Sequence, residues 1–383
     1  MYFVALRMLM GDTSKYIGII MGVTFAALIM TQQPSIFVGL MSRTYGFISD
    51  SGYADLWVMD KKVRFIDDIK PMQDTQLLRI RGISGVRWAV PLYKANVRAR
   101  TEAGNFENII LVGLDDSTLI GGPARVKNGQ LADLRRSDSV IIDADGAKKI
   151  GTRLDAKGNK IPLTIGDTVE INDKRAVIVG IADVSRTFQS QPVVYTTYSR
   201  AIGYSPAERL KLSFILVGLQ KDHTPETVIK NIEAHTHLTA KTQSAFKEMT
   251  VMHFLKNTGI PINFGISVTL GFLVGAAIAG QMFYNFTHDN LRQFAAIKAM
   301  CASSWMLVRM IILQALFIGI TGWGVGVGLA AWFGFSMRKS VLAFKMIPEI
   351  LMLSAGGVLV IVTLAALISI RKVVKLEPAI VFK

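Results

Sequence analysis

Four long stretches of the chain contain no Asp, Glu, Lys or Arg. These stretches are residues 16–42, 257–288, 310–337 and 350–370. A helix that crosses the hydrocarbon core of a bilayer needs about 20 mostly apolar residues. We place the four predicted transmembrane helices at residues 16–42, 257–288, 306–337 and 346–370. The pattern therefore predicts an α-helical membrane protein.

The segment between the first and second spans, residues 43–256, has a different pattern. Short β-branched runs such as residues 106–114 and 139–143 alternate with helical signals such as residues 225–237, which follow Thr224 as a predicted N-cap. Residues 240–256 are predicted to form a helix that returns to the membrane. We expect a large extracytoplasmic (periplasmic) α+β domain here. Its β-rich lobe is predicted at about residues 115–205.

Residues 1–15 favour an N-terminal interfacial helix that leads into the first span. Its apolar positions near helical spacing are Phe3, Leu6, Leu9 and Met10. Arg7 and Lys15 are then available to anionic lipid headgroups. An ordinary helical lead-in explains the pattern equally well. A cytoplasmic loop at residues 289–305 and a cytoplasmic tail at residues 371–383 complete the predicted organisation.

The charge distribution agrees with this division. Residues 41–260 hold 31 Lys and Arg and 24 Asp and Glu, whereas the other 163 residues hold only 12 and 4. The overall content, 51% hydrophobic and 19% charged with a net charge of +15, excludes a purely soluble or disordered protein. The single cysteine, Cys301, excludes a fold stapled by disulfides within the chain.

Lysine and arginine in the short loops predict the orientation. With the N-terminus in the cytoplasm, nine basic residues are cytoplasmic: Arg7, Lys15, Arg292, Lys298, Arg309, Arg371, Lys372, Lys375 and Lys383. The opposing loop has three: Arg338, Lys339 and Lys345. The excess predicts that both termini are cytoplasmic in a multi-pass protein of the inner membrane.

Glycines in the spans are spaced for close helix packing. The small-xxx-small pairs are Gly18 with Gly22, Gly271 with Gly275, and Gly322 with Gly326. Such residues let helices approach closely in lipid. The alternative is that glycine is simply more frequent in membrane helices than in soluble ones.

The sequence lacks the motifs of several common chemistries. It has no phosphate-binding loop, no metal-ligand motif and no nucleophile elbow. His235 and His237 are predicted to diverge on a helix, and nucleic acid is not a predicted partner. The polar residues of the spans are Gln32, Gln33, Asn263, Gln281, Asn285 and Gln314. Without ionisable groups there, an ion-coupled pump is not expected.

Residues 290–306, NLRQFAAIKAMCASSWM, carry the most specific resemblance to a known family. They resemble the pattern Arg-Glu-Ile-Gly-Ile-Leu-(Lys/Arg)-Ala-Leu-Gly-Ala-Ser in the loop after span two of MacB/FtsX-like (type VII) ABC transporter permeases. The matching residues are Arg292, Ile297, Lys298, Ala299, Ala302 and Ser303. Gln293 stands where Glu is usual, and Cys301 where Gly is usual. The segments at 31–33 and 376–379 are also similar, and the DevC-like exporter permeases are the closest subgroup.

The resemblance implies that two copies of the permease pair with two separately encoded cytoplasmic ATPase subunits, which bind ATP and Mg²⁺. It implies no catalytic residue and no cofactor in this chain. The helix after span two would be a coupling helix in a groove of the ATPase, with apolar anchors and basic residues that reach acidic groups. The residues of this predicted interface are Leu291, Arg292, Gln293, Phe294, Ile297, Lys298 and Met300. Without the resemblance, an amphipathic helix on the membrane surface would be favoured.

The family mechanism is mechanotransmission, in which ATP-driven closure of the ATPase dimer moves the extracytoplasmic domains. This implies an export permease in a tripartite efflux or (glyco)lipid-export system, with a periplasmic membrane-fusion adaptor and an outer-membrane duct. Lipid-extracting relatives imply a lateral substrate route past Thr31, Gln32, Gln33 and Pro34. The alternatives are a signalling subunit that activates a cell-wall hydrolase without transport, and a haem or lipid extractor without an adaptor.

Overall fold

The computed structural model describes residues 2–52, 54–101, 104–151, 161–205, 212–300 and 302–374. The chain forms two compact units. One unit, which we call the membrane bundle, comprises Met1–Leu40 and Gly259–Lys383; the other, the α+β domain, comprises Met41–Thr258. Cys301 and the part of the predicted tail from residue 375 onward lie outside the described residues.

The helices are numbered in chain order. They are α1 (Tyr2–Gly11), α2 (Thr13–Thr44), α3 (Gly46–Asp50), α4 (Thr75–Arg81), α5 (Ala144–Ile150), α6 (Tyr198–Tyr204), α7 (Pro225–Thr236), α8 (Gln243–Asn257), α9 (Ile260–Asp289), α10 (Leu291–Ala299), α11 (Ser304–Ser336) and α12 (Pro348–Val374).

The strands are numbered in the same way. They are β1 (Leu56–Met59), β2 (Val86–Arg100), β3 (Phe106–Leu114), β4 (Val126–Asn128), β5 (Ser139–Asp143), β6 (Thr168–Ile171), β7 (Lys174–Ala182), β8 (Val193–Thr197), β9 (Phe214–Leu219) and β10 (Thr239–Thr242).

Among the described residues of the membrane bundle, four helices are long and apolar enough to cross a bilayer: α2, α9, α11 and α12. Their mean hydropathies in the most apolar window are 1.6, 1.9, 1.9 and 2.5. Each extends by at least one residue beyond a charge-free stretch, because polar and charged residues at the ends of a span can remain helical while reaching water. The bundle core is one apolar cluster to which all four helices contribute.

In the part of the chain that the structure describes, the α+β domain has ten strands, nine of them in the order β10-β1-β9-β2-β3-β8-β5-β7-β4. β6 lies off this path and pairs with both β7 and β2. The pairs β2-β3, β3-β8, β8-β5, β5-β7, β7-β6 and β6-β2 therefore form a closed circuit. Only β3-β8 and β5-β7 are parallel among these pairs. Adjacent residues of one strand serve different cores: Val140 and Ile142 of β5 enter one cluster and Ile141 another.

The long strand β2 belongs to both halves of the domain. Its first half, Val86–Leu92, pairs with β9, and its second half, Tyr93–Arg100, pairs with β3. The predicted start of the β-rich lobe at about residue 115 is therefore too late. The circuit of strands includes the second half of β2 and all of β3. The local sequence pattern could not assign these strands to the lobe, because it does not reveal which strands pair with each other.

One further prediction within the domain needs correction. Residues 240–242 do not begin a helix; they belong to β10, which pairs with β1, and α8 begins only at Gln243. Strand pairing there outweighs the helical pattern. The predicted N-cap of α7, Thr224, is confirmed, although its side chain makes no capping hydrogen bond to that helix.

Candidate functional site

The helix α10 follows α9 after a single residue, Asn290, which fixes the turn between them. The Asn290 side chain is buried, and its Nδ2 donates to the Phe286 carbonyl of α9 at 2.8 Å. The Asn290 carbonyl accepts hydrogen bonds from the backbone N–H groups of Gln293 and Phe294, each at 3.1 Å. Asn290 is therefore hydrogen-bonded to both α9 and α10, and these bonds set the direction of α10.

The two faces of α10 differ in burial. Phe294 and Ala295 are completely buried and Ile297 nearly so. On the opposite face, Arg292 and Gln293 are exposed, and Met300, just after the helix, is 72% exposed. α10 is thus an amphipathic helix whose apolar side faces its own bundle.

This geometry corrects part of the predicted ATPase interface. Phe294 and Ile297 belong to the apolar core of the bundle, so they do not contact a partner directly. Leu291 and Lys298 are half-buried, and Lys298 Nζ lies 3.4 Å from the Val374 carbonyl of α12. The apolar spacing of α10 indicates a packing face, and in the structure this face packs against the bundle itself. Arg292, Gln293 and Met300 remain as the outward residues.

A second element, α1, lies beside the α9–α10 junction. Lys15 at the start of α2 forms ion pairs of 2.7 Å with Asp12 and with Asp289 at the end of α9. The Lys15 ammonium beside Asp12 holds the pKa of that carboxyl below its usual range. Lys15 therefore joins three chain segments instead of serving only lipid headgroups.

An open cleft of about 650 Å³ separates α1 from the start of α10. Its lining includes Phe3, Arg7 and Met8 on one side and Asp289 and Gln293 on the other. Apolar and charged groups are both present, so the lining is mixed rather than purely apolar.

The predicted glycine pairs of α2 and α9 lie where these two helices approach each other. A Cβ atom on Gly22 would be 2.8 Å from Ile278 and 3.1 Å from the Ala279 backbone nitrogen. A Cβ on Gly275 would contact Ala26, and one on Gly271 would contact Ile29. A Cβ on Gly18 would lie 2.6 Å from the flexible end of the Met282 side chain.

The glycines of α11 fall on two different faces. Gly322 and Gly326 face α2, where a Cβ would lie 2.7 Å from Val23 and 2.6 Å from Ala27 respectively. A hydrogen bond of 3.2 Å from Thr24 Oγ1 to the Gly322 carbonyl joins the helices at the same level. Gly324 and Gly328 have open space within 4 Å of the Cβ position.

The residues predicted for a lateral substrate route form the polar part of α2. Thr31 is fully buried, and its Oγ1 has no hydrogen-bond partner among the described residues. Gln32, Gln33 and Pro34 are half-buried within the same helix. Thr31 therefore faces the bundle interior, whereas the next three residues lie partly at its surface.

No group of three or more potential metal ligands occurs in the part of the chain that the structure describes. His235 lies in the last turn of α7, and His237 follows that helix in a left-handed conformation with φ of 58°. The two histidines are separated by the end of the helix and do not form a ligand pair of the i, i+4 kind.

Two contacts near the candidate site were not predicted from the sequence. One is the Lys15–Asp289 ion pair, whose partners are far apart in the chain. The other is Gln314 of α11, which is fully buried and donates through Nε2 to the Ala5 carbonyl of α1 at 2.7 Å. A single polar residue in an apolar span was the available signal for Gln314, but its partner could not be inferred from spacing.

Sequence comparison identifies the class of protein. Residues 16–235 match the MacB-like periplasmic core domain, and residues 265–378 match the FtsX-like permease C-terminal domain. Together with the four apolar helices and the inserted α+β domain, these matches define a multi-pass membrane permease. The chain belongs to the MacB/FtsX-like family of ABC transporter permeases, which implies an ATPase partner.

Individual relatives agree with this family. ABC transporter permeases from two strains of Mycobacterium tuberculosis are each 24% identical over 322 residues, which is 82% of this chain and 79% of theirs.

Solved domains were found as well. The periplasmic region of MacB from Actinobacillus actinomycetemcomitans has 16% identity and a TM-score of 0.37, covering 55% of this chain and 96% of that one. The extracellular domain of the transporter YknZ from Gram-positive bacteria has 16% identity and a TM-score of 0.34, covering 47% and 90%.

Proposed function

We propose that this chain is the permease subunit of an ATP-driven exporter and that its coupling helix is α10. The observation that supports this most strongly is the construction of α10. Its apolar face is fixed in the bundle core, while Arg292, Gln293 and Met300 face outward. In the orientation that the basic loops predict, with both termini in the cytoplasm of an inner-membrane protein, these residues face the ATPase. ATP and Mg²⁺ bind to that partner, and this chain carries no catalytic residue or cofactor.

The same construction supports mechanotransmission. A force on the outward face of α10 acts on Phe294, which is embedded in the bundle core, and on α9 through Asn290. Packed interiors are nearly incompressible, so such a displacement moves whole helices. The chain of α2 leads directly into the α+β domain, which begins at Met41. Displacement of the bundle helices is then transmitted to the α+β domain.

The exporter works as a homodimer of permeases in a tripartite efflux or (glyco)lipid-export system of the DevC-like kind. A membrane-fusion adaptor and an outer-membrane duct bind the α+β domain on the periplasmic side. An apolar substrate reaches the complex laterally beside Gln32, Gln33 and Pro34, the half-buried polar residues of α2. Support comes from the family and from spans without internal charge, which leave ATP as the source of energy.

The test is co-purification of the full chain with its ATPase, together with the rate of ATP hydrolysis. The variant combines Arg292→Glu and Met300→Ala, both on the outward face of α10. We expect association to weaken about 10- to 30-fold, because loss of an interface hot spot costs about 2 kcal/mol. A Phe294→Asp change is unsuitable, because it would bury a charge in the bundle core.

A matched control combines Arg338→Glu and Met352→Ala. Arg338 is also exposed, and Met352 is 74% exposed, close to the 72% of Met300. The control is expected to bind the ATPase like the unmodified chain. Equal binding by both double variants would remove α10 from the ATPase interface, and failure of the unmodified chain to bind any ATPase would overturn the proposed function.

A further inference from the structure

The outward face of α10 is too small to account for a stable ATPase complex alone. α10 has nine residues, about 13 Å of helix, and its buried face is unavailable. A specific protein–protein interface commonly buries about 800 Å² on each partner. The remaining contact area has to come from neighbouring surface, and the cleft beside α10 is continuous with it through Gln293.

The opposite wall of that cleft is α1, which is firmly attached to the bundle. Ala5 and Leu9 are completely buried in the bundle core. Gln314 of α11 donates to the Ala5 carbonyl at 2.7 Å, and Gln314 is itself fully buried. α1 is thus a fixed element of the bundle, and a load applied to it reaches α11 directly.

One cation in the cleft, Arg7, makes no ion pair with a described residue. Lys15 bridges Asp12 and Asp289, so its single positive charge is shared between two carboxylates. No described residue forms an ion pair with Arg7, whose guanidinium lies 4.7 Å from the centre of the Phe3 ring. Phe3 is 67% exposed. The cleft therefore presents an aromatic ring and a cation side by side, a surface complementary to an apolar side chain next to a carboxylate.

We propose that the cleft between α1 and α10 is the second half of the ATPase-docking surface. Its occupant is a segment of the ATPase that places an apolar side chain against Phe3 and an acidic side chain against Arg7. This inference rests on the proposed function, since it requires an ATPase on α10. It assigns α1 a direct role in receiving the movement of the ATPase, in addition to the role of α10.

Photo-crosslinking in the full chain tests this assignment. Phe3 and Met300 are each replaced, in separate chains, by p-benzoylphenylalanine, and Phe25 of α2 serves as the control because it is also exposed. We expect capture of the ATPase from positions 3 and 300 and only lipid from position 25. Capture from position 300 but not from position 3 would overturn the cleft assignment while keeping the proposed function. Capture from neither position would contradict both.

A charge reversal provides an independent readout. Arg7→Glu is expected to weaken ATPase binding about 5-fold, the change that corresponds to about 1 kcal/mol for an exposed ion pair at an interface. The matched control is Arg309→Glu, since Arg309 is exposed and stacks on Trp305 at 5.4 Å just as Arg7 does on Phe3. Equal loss in the two variants, or loss only of binding to anionic vesicles, would show that Arg7 serves the lipid surface and would overturn the inference.

Discussion

The membrane bundle and the α+β domain differ in the contacts that stand out in their packing. Helices α2, α9 and α11 approach at positions where a side chain is absent, such as Gly275 and Gly326. The α+β domain is instead organised around large side chains. Trp57 of β1 is completely buried, with the rings of Phe214 and Phe246 at 5.7 and 5.6 Å.

This difference follows from the two solvents. Lipid tails are as apolar as leucine, so burial of large apolar side chains between spans gains little, and close contact of backbones decides the packing. For a domain in water, the burial of large apolar side chains away from the solvent is the main source of stability. Addition of atoms should therefore damage the bundle, whereas removal of atoms should damage the α+β domain.

The largest effect is expected for Trp57→Ala in the α+β domain. Loss of the indole leaves a cavity among Phe47, Phe214 and Phe246, and such truncations cost about 3–5 kcal/mol of unfolding free energy. Hydrogen exchange of β1 and β9 in the full-length protein measures the loss. The control is Trp332→Ala, because Trp332 of α11 is 69% exposed. Similar losses in both variants would contradict the role of burial.

A smaller effect is expected for Gly326→Ala in the bundle. The added Cβ would lie 2.6 Å from Ala27 Cβ and 2.8 Å from the Thr24 carbonyl, and relief of such overpacking costs about 1–3 kcal/mol. Thermal unfolding in detergent measures it. Gly328→Ala adds the same methyl group where nothing lies within 4 Å, so it should be neutral. If Gly328→Ala destabilises as much, helix flexibility rather than close approach is the cause.

The smallest effect is expected for a half-buried ion pair of the α+β domain, Arg186 with Asp145, because ion pairs open to solvent add little stability. Arg186 Nε donates to Asp145 at 2.5 Å and holds the pKa of that carboxyl below its usual range. A lowered folded-state pKa stabilises the domain above the unfolded value of about 4, and this contribution disappears as the pH falls through the folded value.

The corresponding variant is Asp145→Asn. This substitution should lower the free energy of unfolding by less than about 1 kcal/mol at pH 7. It should leave the free energy of unfolding unchanged at a pH below both the folded and the unfolded pKa of Asp145. Denaturant unfolding at the two pH values provides the measurement, with Asp183→Asn as the control, since no side-chain hydrogen bond of Asp183 occurs among the described residues. A loss that persists unchanged at low pH would show that the ion pair is not its origin.

Local sequence was sufficient for the spans and for much of the domain. Charge-free length identifies a transmembrane helix because the transfer of each residue into lipid depends mainly on that residue. Strands β3 and β5 have the predicted bounds, 106–114 and 139–143, because β-branched runs ended by turn residues carry their own preference. The 290–306 motif also pointed to the family that the domain matches support.

Tertiary structure alone decided which groups meet. The apolar spacing of α10 predicted an amphipathic helix, but only the folded bundle determines that Phe294 and Ile297 face inward and that Arg292 and Met300 face outward. Lys15 and Asp289, or Gln314 and Ala5, are brought together by the packing of helices that are distant in sequence. The composition of a segment determines whether it lies in the membrane or in water. Contacts between distant segments depend on how all neighbouring side chains pack together, and no local sequence pattern encodes that packing.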